Sequence, residues 1–278
     1  MTATQRQAGV TFVAAAVAAV AVVLLFRLGV AYLPAPAGTT GTALLDAGVT
    51  LALFGTLAAI ALLAIRREGR RGALIGPHPG RATAAGGAIG LCGLLAAYAL
   101  VAIAGLGTRG SGQGAPLLLA VGTIAILAQS AAEEVYFRCW LQRSLLGAWG
   151  GAGAIAASAA LFAALHLLGG TRAPLALANL FLGGLLFGLL AARSGGLAAP
   201  IAAHAAWNWA EQLLLGLDPN PGVGSFGAIL DRDLAGSALW GGSAEGLNAS
   251  LAASFVLVAL LIPIAAWPGG MALRRRPA

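Results

Sequence analysis

The sequence predicts an all-α fold, a polytopic bundle of about eight transmembrane helices. Three observations carry that expectation. The composition is 59% hydrophobic and 9% charged, with a mean hydropathy of +0.89, against about 25% charged residues in a soluble domain. Apolar runs of about 20 residues, enough to cross a hydrocarbon core of about 30 Å as helix, recur along the whole length. The basic residues, all sixteen of them arginine, gather at the ends of those runs. No soluble domain of useful size is left over, so residues 1–278 read as a single integral membrane domain.

Taken in order, the expected spans are 8–32, 43–65, 82–107, 115–147, 152–169, 175–193, 197–216 and 251–268. The first competes with a signal peptide, since Ala35-Pro36-Ala37 faintly resembles a cleavage site. Its apolar stretch is longer than a usual signal core and its leading segment is weakly charged, so a retained helix is expected. The fourth is long enough to tilt or to protrude from the bilayer. Gly86-xxx-Gly90 and Gly184-xxx-Gly188 are small-residue spacings suited to close helix packing in lipid. Residues 217–250, rich in Gly, Pro and Asp, are expected to be a flexible connector.

Arginine bias sets the expected orientation. With the N-terminus inside, the cytoplasmic side holds Arg6, the Arg66-Arg67-Glu68-Gly69-Arg70-Arg71 loop, Arg81, Arg138, Arg143, Arg193 and the tail Arg274 to Arg276. Only Arg27, Arg109, Arg172 and Arg232 fall toward the other side. An even number of spans then puts both termini in the cytoplasm. The arginine-only basic set and the alanine-rich composition suggest the cytoplasmic membrane of a bacterium. The net charge of +7 does not point to nucleic acid, because no soluble basic surface interleaved with aromatics exists. Cys92 and Cys139 lie in different apolar segments without ligand-like spacing and read as small buried hydrophobes.

Against this background, Glu133 and Glu134 are out of place. A carboxylate near the bilayer centre costs about 2.5 to 3.5 kcal/mol on insertion scales, and two stand in succession. If the fourth span crosses between 115 and 135, they merely anchor a helix end. Two histidines inside apolar spans, His166 and His204, favour a functional reading over that one. At about 1.5 Å rise per residue, Glu133 and His166 both fall roughly 20 Å from the expected cytoplasmic ends of their spans. His204 and Asn208 fall at roughly 10 and 16 Å on the same scale, so the four converge on one cavity if the helices tilt modestly. His204 and Asn208 are four apart and share a helix face, as do Glu134 and Arg138, which are spaced for an ion pair. Adjacent helical residues point about 100° apart. The expected division is therefore one carboxylate for chemistry and one neutralised by Arg138.

Glu133-Glu134-x-x-x-Arg138, Phe162-x-x-x-His166 and His204-x-x-x-Asn208, in that order on the fourth, fifth and seventh spans, resemble the three motifs of the CPBP intramembrane proteases. These are the CAAX-processing and bacteriocin-processing enzymes, also called the Abi family. The resemblance covers about 115–216, the expected catalytic core, and leaves the first three spans and the last outside it. It implies peptide-bond hydrolysis within the membrane, with Glu133 as general base. His166 and His204 would hold the water and stabilise the oxyanion, Asn208 would donate a further hydrogen bond, and Glu134, Arg138 and Phe162 would support them. The substrate would be a membrane-embedded peptide or a lipidated protein. General chemistry agrees: a carboxylate lifted out of water holds a proton more readily, as a base that must accept and return one requires, and donors aimed at an oxyanion are worth a few kcal/mol in a dry site.

No cofactor is expected, although Glu133, His166 and His204 are also a catalytic zinc donor set. A His-Glu-x-x-His helix, which would bring two ligands and a base together, occurs nowhere in the chain. The rhomboid serine motif and the presenilin-like aspartate pair are likewise missing, Asp46 being the one aspartate in an expected span. Two other classes stay open on the residues alone. A proton-coupled transporter uses intramembrane Glu and His, but it predicts broken helices or inverted repeats, which the sequence does not display. A catalytically silent membrane scaffold would keep the same motifs.

Overall fold

The computed structural model describes residues 2–69, 74–110, 114–219 and 226–266. Their architecture is helical apart from one pair of three-residue strands. In chain order come α1 (Ala3–Val30), α2 (Gly38–Arg67), α3 (Pro79–Ile103), β1 (Gly107–Arg109) and α4 (Pro116–Glu134). These are followed by α5 (Arg143–Gly169), α6 (Pro174–Ser194), α7 (Ala198–Trp209), β2 (Arg232–Leu234) and α8 (Leu251–Ala266).

Local chemistry explains the helix ends. α1 starts earlier than its apolar run because Thr2 and Gln5 form a reciprocal capping box, with N–H···O distances of 2.9 and 3.2 Å, satisfying donors that have no helical partner. α3, α4 and α6 open on Pro79, Pro116 and Pro174, where the missing N–H costs nothing. α5 and α6 stop at Gly170 and Gly195, both left-handed with φ of 110° and 72°, a conformation that ends helices without strain when the residue is glycine.

The fourth and fifth expected spans are joined in a way that periodicity did not foretell. α4 runs into α5 through a π-helical segment, Val135–Gln142, directly after the two glutamates. The break between the two rods comes inside α5 at Gly150, with φ 69° and ψ 176°, a conformation essentially reserved for glycine. A second π segment, Ala210–Leu214, extends α7.

Among the described residues, five helical stretches are long and apolar enough to cross a membrane: α1, α2, α3, the 116–169 stretch with its break at Gly150, and α6. Their outer faces carry Val10, Val13, Leu25, Leu28, Leu63, Ile124 and other large apolar side chains, each more than half exposed. Contiguous greasy surface on this scale is a lipid-facing one. The chain is an integral membrane protein.

Inside the bundle, α3 and α7 meet at Gly86 and Gly90, where a Cβ would run into the backbone of Ala199 and Ala203. Glycine is required at both for the backbones to approach this closely. The first π segment is tied to the surrounding helices. Tyr136 donates its hydroxyl to the Ala15 carbonyl at 2.6 Å, and Trp140 donates its indole N–H to Glu68 at 3.1 Å.

The expected flexible connector at 217–250 is packed structure in its described residues. β2 pairs antiparallel with β1, Thr108 opposite Asp233. The N–H groups of Ile229, Leu230 and Arg232 donate to the carbonyls of Leu213, Leu214 and Leu215, which the end of α7 leaves without helical partners. Phe226, Ala228, Leu234, Leu247 and Ala249 are buried. Gly and Pro content suggested mobility, but backbone pairing and burial of the intervening apolar residues override it. Arg70, Arg71 and the Arg274 to Arg276 tail, used above for orientation, lie outside the described residues.

Candidate active site

Glu133 and Glu134 close the last turn of α4, His166 lies near the end of α5 and His204 in the middle of α7. These elements surround a cavity of about 430 Å³ whose wall includes Glu133, His166, His204, Asn208 and Phe162. Glu133 and His204 are only 6% and 4% exposed, and Glu134 and Arg138 are fully enclosed at 0% and 1%. His166 and Asn208 are half-buried.

The closest contacts are centred on His204. Its Nδ1 lies 2.9 Å from Glu134 Oε1, and its Nε2 lies 3.4 Å from Glu133 Oε2. Both carboxylates reach the same imidazole, one on each nitrogen. The expected pairing of Glu134 with Arg138 is present, and Glu134 holds His204 in addition. The 100° offset between successive helical residues does not separate the pair, because the ring presents its two nitrogens in different directions. The assigned arrangement is Nδ1–H donating to Glu134, which fixes the tautomer and ring orientation and leaves Nε2 facing Glu133.

Glu134 also meets Arg138, whose Nε is 3.2 Å from Oε2. That contact is ionic and lacks hydrogen-bond alignment: Glu134 Oε2 and Arg138 Nε and Nη1 have no hydrogen-bond partner. Arg138 Nη2 donates to the Gly184 carbonyl at 3.1 Å. Its guanidinium lies 5.5, 5.0 and 5.6 Å from the ring centroids of Phe137, Phe162 and Phe187, an aromatic cage that favours a planar cation. One turn on, Gln142 Nε2 donates to the Gly188 carbonyl at 3.1 Å. Glycine at 184 and 188 makes these bonds reachable, since a Cβ at 184 would sit 2.9 Å from Ala159 Cα and one at 188 would sit 2.8 Å from Gln142 Oε1.

Aromatic packing fixes the imidazoles. The His204 ring stacks on Phe187 at 4.6 Å and 15°, with Phe162 edge-on at 6.0 Å. His166 packs on Phe162 at 4.7 Å and directs Nδ1 to the Phe162 carbonyl at 2.8 Å, so its Nε2 is its other polar atom. Among the described residues, no direct hydrogen bond or ion pair links His166 or Asn208 to Glu133. They share the cavity with it.

Among the described residues, no group of three His, Cys, Asp or Glu side chains is disposed to hold a metal ion. Glu133, His166 and His204 line one cavity.

Two participants, Phe187 and Gln142, went unread in the sequence. Both sit on unremarkable apolar and interfacial stretches that gave no signal. Glu211, only 3% exposed, lines the same cavity and accepts a hydrogen bond from Asn248 Nδ2 at 3.0 Å. Glu211 is seven residues after His204 and so lies on the same helix face.

Comparison with known families bears on this arrangement. Residues 115–210 match the type II CAAX prenyl endopeptidase Rce1-like family. The matched stretch is consistent with a CPBP/CAAX family protease, as the motifs implied. The Rce1-like segment contains Glu133, His166, His204 and Asn208, with the π segment that carries Arg138 between the first two. No curated protein and no solved structure matches the chain.

Proposed function

We propose that this protein is an intramembrane endopeptidase in which Glu133 activates a water for attack on a peptide bond, without a metal. The observation that carries the reading is the contact of Glu133 Oε2 with His204 Nε2, 3.4 Å apart and nearly sealed from solvent on the wall of a cavity. It lies in the segment that matches the Rce1-like family.

In the proposed step Glu133 takes a proton from water, and the hydroxide adds to the scissile carbonyl. The oxyanion is met by Asn208 and by Nε2–H of His204 and His166 in their doubly protonated forms, since Nδ1–H of each ring is already given to Glu134 and to the Phe162 carbonyl. Collapse breaks the C–N bond, and Glu133 returns its proton to the departing amine, leaving the carboxyl base as it began. Glu134 holds His204 by Nδ1, Arg138 balances the charge of Glu134, and Phe162 and Phe187 fix the ring. In its doubly protonated form His204 keeps Nδ1–H on Glu134 and pairs through Nε2–H with Glu133 at rest and with the oxyanion in the transition state.

The proposed setting is an eight-span membrane domain of a bacterial cytoplasmic membrane, with both termini in the cytoplasm and 115–216 as its catalytic core. The substrate class is a membrane-embedded peptide or lipidated protein. Detergent-purified protein offered quenched peptides, with and without lipid tails, tests this. Cleavage by wild type that is lost in Glu133→Gln and survives chelation is the expected result. Zinc-dependent rescue after chelation would overturn the metal-free step. No cleavage of any peptide by folded protein would favour the silent scaffold.

A further inference from the structure

The cavity wall carries primary amides of two kinds. Asn179 and Asn248 are committed to the fold. Asn179 Nδ2 donates to the carbonyls of Asn248 and Ser250, its Oδ1 accepts from the Ser254 hydroxyl, and Asn248 Nδ2 donates to Glu211. Gln129, Asn208 and Gln212 line the same cavity and are half-buried. Among the described residues, the side chains of these three enter no hydrogen bond. A primary amide offers two donors and an acceptor, and withdrawing them from water is costly until they are paired.

The fold sets these three amides on one side of the reacting centre. His204 meets Glu133 and Glu134, and further along the same helix Trp209 donates its indole N–H to Thr123 at 3.0 Å. α4 and α7 therefore run antiparallel beside the cavity, so that a step back along α4 from Glu133 goes the same way as a step forward along α7 from His204. Gln129 is one turn from Glu133, about 6 Å along the axis, and Asn208 and Gln212 are one and two turns from His204, about 6 and 12 Å. An extended peptide presents same-facing peptide groups at every second residue, about 6.7 Å apart, which matches the one-turn interval of the amides.

We infer that Gln129 and Gln212 are substrate-binding residues that hold the main chain of an extended peptide on one side of the scissile bond. Each side chain accepts from a peptide N–H through its oxygen and donates to a peptide carbonyl through its nitrogen. On the distances above, Gln129 takes the peptide group about two residues from the scissile bond and Gln212 the one about four residues away. Asn208, nearer to His204 than Gln212 is, remains with the oxyanion. Recognition of this kind reads the backbone and is indifferent to the side chains it passes. This inference rests on the endopeptidase reading and deepens it.

The test uses the full chain in detergent and one apolar peptide in which single peptide bonds are replaced in turn by esters, each removing one N–H donor and leaving every side chain in place. Product masses locate the cleaved bond, so that each ester is placed relative to it. The expected result is a loss in kcat/KM of roughly tenfold, the order of a buried hydrogen bond left unmade, for esters about two and four residues from the cleaved bond on one side of it. Esters between these positions and on the other side should cost less. Gln129→Leu should abolish the nearer penalty and keep the farther one, and Gln212→Leu the reverse, an exchange that a merely structural role for either glutamine would not produce. Binding of the same peptides to Glu133→Gln, followed by fluorescence anisotropy, reads the pattern without turnover. An ester profile that is flat or equal on both sides would overturn the inference, even if neither glutamine variant folds. So would a pattern that the folded glutamine variants leave unchanged. Patterned binding with no cleavage by wild type would uphold the main-chain site and count against the endopeptidase reading.

Discussion

Nδ1 of His204 lies 2.9 Å from Oε1 of Glu134, a carboxylate 70 positions earlier in the chain. That bond connects α4 to α7 in the buried centre of the molecule and orients the ring toward Glu133. Orientation of a catalytic histidine through its far nitrogen is a general device. Here the orienting carboxylate is held in turn by a caged arginine.

Removing one member of that buried pair should be more damaging than removing both. Glu134→Leu or Arg138→Met alone leaves an uncompensated buried charge and is expected to cost about 3 to 5 kcal/mol of stability, whereas the double variant should recover a large part of that loss. Reversible unfolding in mixed micelles measures the coupling. Cleavage should stay low in the double variant, since His204 has lost its Nδ1 partner.

His204→Ala removes an oxyanion donor and should lower kcat by about 100-fold to 1000-fold. KM should change little, because apolar contacts elsewhere in the cavity hold the substrate. A purely structural role for His204 would instead lower the amount of folded protein and leave the kcat of the folded fraction intact.

Gly90→Ala places a methyl group against the Ala203 backbone, next to His204. Overpacking of this kind costs about 1 to 3 kcal/mol, and the displacement is passed directly to the catalytic ring. Both melting temperature and kcat should fall. Gly87→Ala, on the neighbouring face with open space around it, should leave both unchanged.

Tyr136→Phe removes the hydroxyl that donates to the Ala15 carbonyl. Loss of one such bond is worth about 1 kcal/mol. Stability should drop by that amount with kcat preserved, which separates packing of the π segment from the chemistry beside it.

The helices were legible where local rules decide them. Apart from the junction of α4 and α5, apolar runs located them to within a few residues, and Pro116, Pro174, Gly170 and Gly195 mark ends for reasons that are visible in the residues. Glu133, His166, His204 and Asn208 stood out because polar groups in apolar runs are costly. What the sequence hid depends on partners distant in the chain. Nothing near Phe187 announces that it lies under His204, and nothing near Asn248 announces Glu211. The π segment is also a tertiary outcome, since Arg138 and Gln142 donate to glycine carbonyls of α6 that no local pattern specifies. The segment after α7 looked like a connector because glycine and proline counts say nothing of the carbonyls of Leu213 to Leu215, which its N–H groups satisfy.

Glu133→Gln is the most direct test of the whole account, since it keeps the size and hydrogen-bonding reach of the side chain and removes only its capacity as a base. Single-turnover cleavage of a quenched peptide should fall by at least about 100-fold, the order of a general-base contribution, with melting temperature and peptide binding unchanged. Cleavage at the wild-type rate by folded Glu133→Gln would contradict the account.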